Sequence, residues 1–131
     1  MEETNQRKVV YIEDSQDMIN LVTIVLARDG FDVIGIQEGR DGLELVRRIK
    51  PDIILLDLML PDISGWVVYQ SIKQEPELCD IPVIVVTARD APIDKVLGEQ
   101  VAKVQAYVTK PFSPFDLRNT VNRVVGSGKK S

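Results

Sequence analysis

The chain has 131 residues, which suffices for one domain with a sizeable core and is too short for two ordinary domains. Its 44% apolar and 27% charged residues are typical of a globular protein, and no apolar run approaches the roughly 18 residues that a membrane span needs. A net charge of −4 argues against broad nucleic-acid binding. The single cysteine, Cys79, excludes an internal disulfide and suits a reducing cytoplasm. The lack of histidine excludes histidine-ligated zinc and histidine-based catalysis.

Apolar runs alternate along the chain with amphipathic stretches. The predicted order is strand 8–13, helix 16–29, strand 32–36, helix 40–49, strand 53–57, helix 64–73, strand 82–87, helix 92–103, strand 105–109 and helix 114–125. Strict alternation of strand and helix implies a parallel sheet with right-handed crossovers and helices on both faces. We therefore predict one α/β domain at 8–125, a flexible N-terminus at 1–7 and a flexible tail or linker stub at 126–131.

Polar side chains stand where four of these strands end. Asp57 ends an uninterrupted apolar run, which is typical of a strand buried on both faces. Glu13 and Asp14 follow the apolar run Val9-Val10-Tyr11-Ile12 of the first strand. Thr87 ends the fourth strand and Lys110 follows the fifth. Because parallel strands end at one edge of the sheet, where open α/β folds place their ligands, these residues predict a site. Three carboxylates gathered there would repel one another and need a cation.

The order and spacing of these residues resemble those of a known family. The matching signatures are Glu13-Asp14, Asp57, Thr87-Ala88, Tyr107 and Lys110-Pro111-Phe112. Over residues 7–125 the chain resembles the receiver domain of response regulators in two-component signal transduction, within the chemotaxis-type receiver superfamily. The resemblance implies a flavodoxin-like fold, a doubly wound five-stranded parallel sheet of order 2-1-3-4-5 with five helices. It also implies a phosphorelay switch, not a turnover enzyme, that takes its phosphoryl group from a histidine kinase or a phosphotransfer protein.

The expected chemistry centres on Asp57 as the phosphoacceptor. A carboxylate can take a phosphoryl group as an acyl phosphate, and transfer between anions needs a divalent cation such as Mg²⁺ or Mn²⁺. Asp14 and Asp57 can supply direct carboxylate ligands, and the resemblance adds the backbone carbonyl of Met59. Glu13 stands where the family more often has aspartate, and its longer side chain is expected to hold the metal through a water.

The resemblance also assigns roles to residues at the ends of the last two strands. Lys110 would pair with the incoming phosphoryl group, and Thr87 would hydrogen-bond one of its oxygens. Ala88 would leave the route to the phosphoacceptor open, and the Lys110–Pro111 peptide bond is expected to be cis. In the switch that the family implies, the Thr87 hydroxyl moves inward and Tyr107 turns into the vacated space.

Other interpretations compete with this one. Taken alone, Asp14 suits a helix cap, Thr87 a strand residue, Lys110 a solvated lysine and Tyr107 a half-buried aromatic on an edge strand. A pseudo-receiver would keep the fold as a protein-binding module without the chemistry, and a flavoprotein or phosphatase would be a turnover enzyme on the same fold. All the acidic residues and the lysine are present, which disfavours the pseudo-receiver. No Gly-rich phosphate loop or phosphatase motif follows the first strand, which disfavours the turnover enzyme.

The expected output surface departs from the family pattern. Before Tyr107 the family commonly has Gly-Ala-Asp, whereas this chain has Lys103-Val104-Gln105-Ala106 and lacks the glycine that ends a helix. Gly98 falls inside helix 92–103, where glycine costs about 1 kcal/mol relative to alanine. We expect activation to alter helix 92–103, the fifth strand and the last helix, and a transient homodimer or another protein to dock there. Neither a membrane nor nucleic acid is an expected partner.

Overall fold

The computed structural model describes residues 7–88 and 106–128. Its five strands are β1 (Arg7–Ile12), β2 (Phe31–Ile36), β3 (Ile53–Asp57), β4 (Val83–Ala88) and β5 (Ala106–Lys110). The helices within these residues are α1 (Gln16–Ala27), α2 (Gly39–Ile49), α3 (Gly65–Gln74) and a C-terminal helix (Pro114–Gly128). The helix predicted at 92–103, with Gly98, lies outside the described residues.

The strands form one parallel sheet in the order β2-β1-β3-β4-β5, which confirms the predicted topology. β3 is the central strand, and β2 and β5 are the edges. In the register between β1 and β3, Tyr11 lies beside Leu55 and Ile12 beside Leu56. Continued by one residue, this register brings Glu13 beside Asp57 at the carboxyl edge of the sheet.

Each face of the sheet is covered by its own apolar core. Alternate residues of a strand point to opposite faces, so Tyr11 and Leu55 pack under α1 and the C-terminal helix, whereas Ile12 and Leu56 pack under α2 and α3. All five residues of β3 are buried, as the apolar run predicted. Among the described residues, no helix has the length and apolar character to cross a membrane.

The helix ends differ from the predicted ones by a few residues. α1 ends at Ala27 rather than at 29, and the chain turns through Gly30, whose positive φ of 84° suits glycine. The C-terminal helix begins where the Ser113 side chain accepts a hydrogen bond from the Asp116 backbone N–H at 3.0 Å, which is a typical helix cap. It continues to Gly128, three residues past its predicted end at 125, because buried valines such as Val125 hold its last turns on the core.

Candidate functional site

Three carboxylates meet at the carboxyl edge of the sheet. Glu13 directly follows β1, Asp14 comes next in the chain, and Asp57 is the last residue of β3. One carboxylate oxygen from each of the three lies within 4.8 Å of the other two. Glu13 and Asp57 are buried, with 1% and 4% of their surface exposed, whereas Asp14 is exposed. The fold thus brings together the acidic residues that the sequence singles out, with one of them open to solvent.

Lys110 joins two of these carboxylates from the end of β5. Its Nζ atom lies 2.7 Å from Oε1 of Glu13 and 3.0 Å from Oδ2 of Asp57. Burial lowers the pKa of Lys110, but the hydrogen bonds to Glu13 and Asp57 outweigh it and raise the pKa above its usual value. The lysine therefore stays charged, and one ammonium faces three carboxylates. This excess of negative oxygen ligands fits a hard divalent cation such as Mg²⁺.

Two further donors fix the Glu13 carboxylate. The Tyr11 hydroxyl donates to Oε1 at 2.9 Å, and the Ser15 backbone N–H donates to Oε2 at 3.1 Å. Burial, together with the neighbouring charge of Glu13, raises the pKa of Tyr11 far above its usual value, so the phenol remains a neutral donor. Sequence reasoning missed both Tyr11 and the direct contact between Glu13 and Lys110. For Tyr11 the usable signal was its spacing from Glu13, because residues two apart on a strand share a face.

The backbone after β3 is held close to the end of the strand. The Met59 backbone N–H donates to Oδ1 of Asp57 at 3.0 Å, and the Gly65 N–H donates to the Leu58 carbonyl at 2.9 Å. A Cβ atom at Gly65 would meet the Asp57 carbonyl oxygen and lie 2.6 Å from the Leu58 Cα. Only glycine therefore allows α3 to begin this close to the end of β3.

The same loop is tied to α2 through Asp62. Its carboxylate accepts hydrogen bonds from the backbone N–H groups of Gly39 at 2.7 Å and Arg40 at 2.9 Å, which are the free donors at the start of α2. The bond from Arg40, followed by that from Gly39, lowers the pKa of Asp62 and keeps it ionised. Glu38, at the usual capping position of α2, makes no side-chain cap. Sequence reasoning missed this cap from a distant loop.

The remaining predicted residues lie on β4 and β5. Thr87 is fully buried, and its hydroxyl has no hydrogen-bond partner in the described part of the chain. Ala88 lies beside Lys110 in the register of the two strands. Tyr107 is 38% exposed on the edge strand β5, and the Lys110–Pro111 peptide bond is cis, as the resemblance implies. The structure therefore places these residues on β4, which pairs with the strand of Asp57, and on or directly after β5, the next strand.

A comparison with protein families settles which family has this arrangement. The family model of the response regulator receiver domain matches residues 9–122. The chain belongs to this family. Receiver domains are signalling switches of two-component systems rather than classical enzymes, and the family membership assigns that class to this chain.

Solved structures of receiver domains share the fold. The signal receiver domain of a protein described as a Luxo repressor from Vibrio parahaemolyticus is 27% identical, with a TM-score of 0.84 over 95% of this chain and 93% of that one. The receiver domain of a signal transduction histidine kinase from Syntrophus aciditrophicus is 25% identical, with a TM-score of 0.86 over 95% and 94%. That of a sensor histidine kinase from Pseudomonas aeruginosa PAO1 is 24% identical, with a TM-score of 0.82 over 92% and 98%.

Proposed function

We propose that this receiver accepts a phosphoryl group on Asp57 and acts as a phosphorylation-controlled switch. The observation that supports it best is the shared contact of Lys110 with Asp57 and Glu13, which sets a fixed cation beside a buried carboxylate. In the transfer, a bond forms between an Asp57 carboxylate oxygen and phosphorus, and the bond from phosphorus to the donor's leaving atom breaks. Lys110 faces the charge that this step adds to Asp57.

A divalent cation, Mg²⁺ or Mn²⁺, is part of this proposal. The Pseudomonas aeruginosa receiver has a magnesium ion coordinated in its active site cleft, and three clustered carboxylates with one lysine suit the same ion here. Asp14 and Asp57 would hold the cation with the Met59 carbonyl, and Glu13 would hold it through a water. When bound, the cation would neutralise charge between the two reacting anions.

The orphaned hydroxyl of Thr87 supports the proposed switch. A buried hydroxyl without a partner costs roughly 1–3 kcal/mol, so a phosphoryl oxygen on Asp57 would supply a bond that the described residues do not. Small Ala88 leaves room for that group. Movement of the Thr87 hydroxyl towards it would then allow the half-exposed ring of Tyr107, on the next strand, to turn inward.

The proposed phosphoryl donor is a histidine kinase or phosphotransfer protein of the cytoplasm. Receiver domains of this family take part in two-component signalling with such proteins, and the neighbouring structures include receivers of histidine kinases. The proposed output face holds β5 and the C-terminal helix, on which Tyr107 and Phe115 are exposed. A transient homodimer through this face stays a prediction, and helix 92–103, its third element, lies outside the described residues.

Intact-mass spectrometry after incubation with acetyl phosphate and Mg²⁺ tests the central claim. We expect one phosphoryl adduct on the wild type and none on Asp57→Asn. Asp80→Asn is the matched control, because Asp80 precedes β4 at the opposite edge of the sheet and should leave the adduct intact. An adduct of equal yield on Asp57→Asn would overturn the assignment of the phosphoacceptor.

A further inference from the structure

Tyr11 is a core residue that touches the site with one atom. Its ring is fully buried between the sheet, α1 and the C-terminal helix, among residues such as Leu26 and Leu117. Its hydroxyl lies 2.9 Å from Oε1 of Glu13. Buried tyrosines usually find a partner for the hydroxyl, but here the partner is a carboxylate of the acidic cluster.

The hydrogen-bond donors to the Glu13 carboxylate differ in whether they would stay in place when a phosphoryl group reaches Asp57. A carboxylate offers about four lone-pair sites, and three are taken by the Tyr11 hydroxyl, Lys110 Nζ and the Ser15 N–H. Lys110 is shared with Asp57, so a phosphoryl group arriving there would draw it away from Glu13. Tyr11 and Ser15 are held by the core and by the start of α1, and within residues 7–88 and 106–128 they have no competing partner at the site. They would keep the carboxylate fixed after Lys110 moves.

We propose that Tyr11 is a positioning residue that orients Glu13 towards the divalent cation. This inference rests on the cation site proposed above and extends it to a residue outside the acidic cluster. With both sites of Oε1 occupied by Tyr11 and Lys110, the remaining acceptor site of Glu13 lies on Oε2, beside the Ser15 bond. Tyr11 thereby decides which oxygen of Glu13 is available to accept a hydrogen bond from a water on the cation.

The length of Glu13 is part of this arrangement. An aspartate at this position would be shorter by one carbon–carbon bond, about 1.5 Å, and would draw its oxygens away from the Tyr11 hydroxyl. The hydrogen bond between Tyr11 and Glu13 in this chain therefore depends on the longer acid. It follows that Tyr11 should matter in the wild type and lose its influence on the cation in Glu13→Asp.

Isothermal titration calorimetry with Mg²⁺ tests the proposal on the full chain. Tyr11→Phe keeps the ring and removes only the donor. We expect it to weaken Mg²⁺ binding by roughly threefold to tenfold, because loss of a partner of a direct ligand typically costs tenfold or more and Glu13 would reach the cation only through a water. Tyr69→Phe is the matched control, because it removes a hydroxyl from the core on the other face of the sheet. It should leave the dissociation constant for Mg²⁺ unchanged.

The Glu13→Asp background separates positioning from general damage to the core. There, we expect Tyr11→Phe to cause no further change in Mg²⁺ binding, whereas a packing defect would weaken both backgrounds equally. An equal loss in both backgrounds, or a Tyr11→Phe variant that binds Mg²⁺ as tightly as the wild type, would overturn the role of Tyr11 alone. A wild type that binds no Mg²⁺ would overturn the cation site and this role together.

Discussion

Nζ of Lys110 lies 3.0 Å from Oδ2 of Asp57, although 53 residues separate them in the chain. The contact spans β4, because Asp57 ends β3 and Lys110 ends β5 on either side of that strand. The same Nζ atom reaches Glu13, which lies on the far side of β3 and is 97 residues away in the chain. One lysine therefore links the ends of three parallel strands, and its charge offsets part of the negative charge of the buried Glu13 and Asp57 carboxylates.

We expect Lys110→Met to lower the stability of the metal-free protein by roughly 1–3 kcal/mol, because two buried carboxylates lose a charged partner. Mg²⁺ should recover part of this loss by replacing the missing positive charge. Urea unfolding with and without Mg²⁺ measures both effects. Lys50→Met is the control, since the Lys50 ammonium makes its contacts, with exposed Glu77 and with the Arg47 carbonyl, at the protein surface, and its loss should change stability little. A Lys110→Met variant as stable as the wild type without metal would contradict the pairing.

Asp14→Asn should separate cation binding from folding. Asp14 is the exposed member of the acidic cluster, so its neutralisation relieves repulsion, and the metal-free protein should be at least as stable as the wild type. Mg²⁺ binding should weaken by about tenfold or more, because the proposed direct ligand loses its charge. Calorimetric titration measures the affinity, and Asp17→Asn, in the first turn of α1, is the matched control. An unchanged Mg²⁺ affinity in Asp14→Asn would contradict the assignment of Asp14 as a ligand of the cation.

The stability of the C-terminal helix should depend on pH through Asp29. Hydrogen bonds from Arg118, and then from Asn122, hold the pKa of Asp29 below its usual value. A carboxyl whose folded pKa is depressed stabilises the fold above its unfolded pKa of about 3.9, and this contribution is lost as the pH falls through the folded pKa. Asp29→Asn should therefore lower the urea midpoint at pH 7, and the difference in urea midpoint between the wild type and the variant should narrow towards pH 3.

The Arg118→Gln background controls for unrelated carboxyl groups that titrate over the same pH range. With the guanidinium removed, Asp29→Asn should have a smaller effect at pH 7, because its main partner is gone. If Asp29→Asn changes the urea midpoint by the same amount from pH 7 to pH 3 in the wild-type background, the role of this ion pair is contradicted.

Much of the site could be predicted because topology alone brings strand ends together. Apolar runs and amphipathic stretches define the order of elements, and a parallel sheet places the residues after β1, β3, β4 and β5 at one edge. The proximity of Asp57 and Lys110 could therefore be predicted without any knowledge of side-chain packing.

What could not be predicted depends on side-chain reach and on contacts between distant segments. The 2.7 Å contact of Lys110 with Glu13 requires an extended lysine to cross two strand ends, which no spacing rule encodes. The cap of α2 by Asp62 joins residues more than twenty positions apart, and its signal in the sequence is a single acid within a loop. The C-terminal helix passed its predicted end because packing of Val125 outweighs the weak helix propensity of the glycines beyond it.

Gly65→Ala should disturb the loop that follows Asp57. The added Cβ would press on the Asp57 carbonyl and the Leu58 Cα, which are backbone atoms that cannot turn aside, so we expect a loss of roughly 1–3 kcal/mol. Gly126→Ala is the matched control, because its Cβ has no neighbour within 4 Å and the residue is helical, so it should gain about 0.5–1 kcal/mol. Thermal or urea unfolding compares them, and equal stability of the two variants would contradict the close packing at Gly65.

Thr87→Val should separate stability from signalling. The substitution removes a buried hydroxyl that has no partner among the described residues, so we expect stability to stay unchanged or rise by about 1 kcal/mol. Asp57 should still accept a phosphoryl group, because Lys110 and the acidic cluster are untouched. The response of Tyr107 to activation should be lost, because the hydroxyl that would follow the phosphoryl group is absent. Solution NMR of the Tyr107 resonances, with beryllofluoride as the phosphoryl mimic, measures that response.

The matched control for this last prediction is Thr109→Val. Thr109 is the register partner of Thr87 on β5, so the same substitution one strand away tests whether any loss of a threonine hydroxyl has this effect. We expect the Tyr107 shifts to persist in Thr109→Val and to vanish in Thr87→Val. If the shifts persist unchanged in Thr87→Val, the signal reaches β5 by a route that does not involve the Thr87 hydroxyl, and the proposed coupling between Thr87 and Tyr107 is wrong.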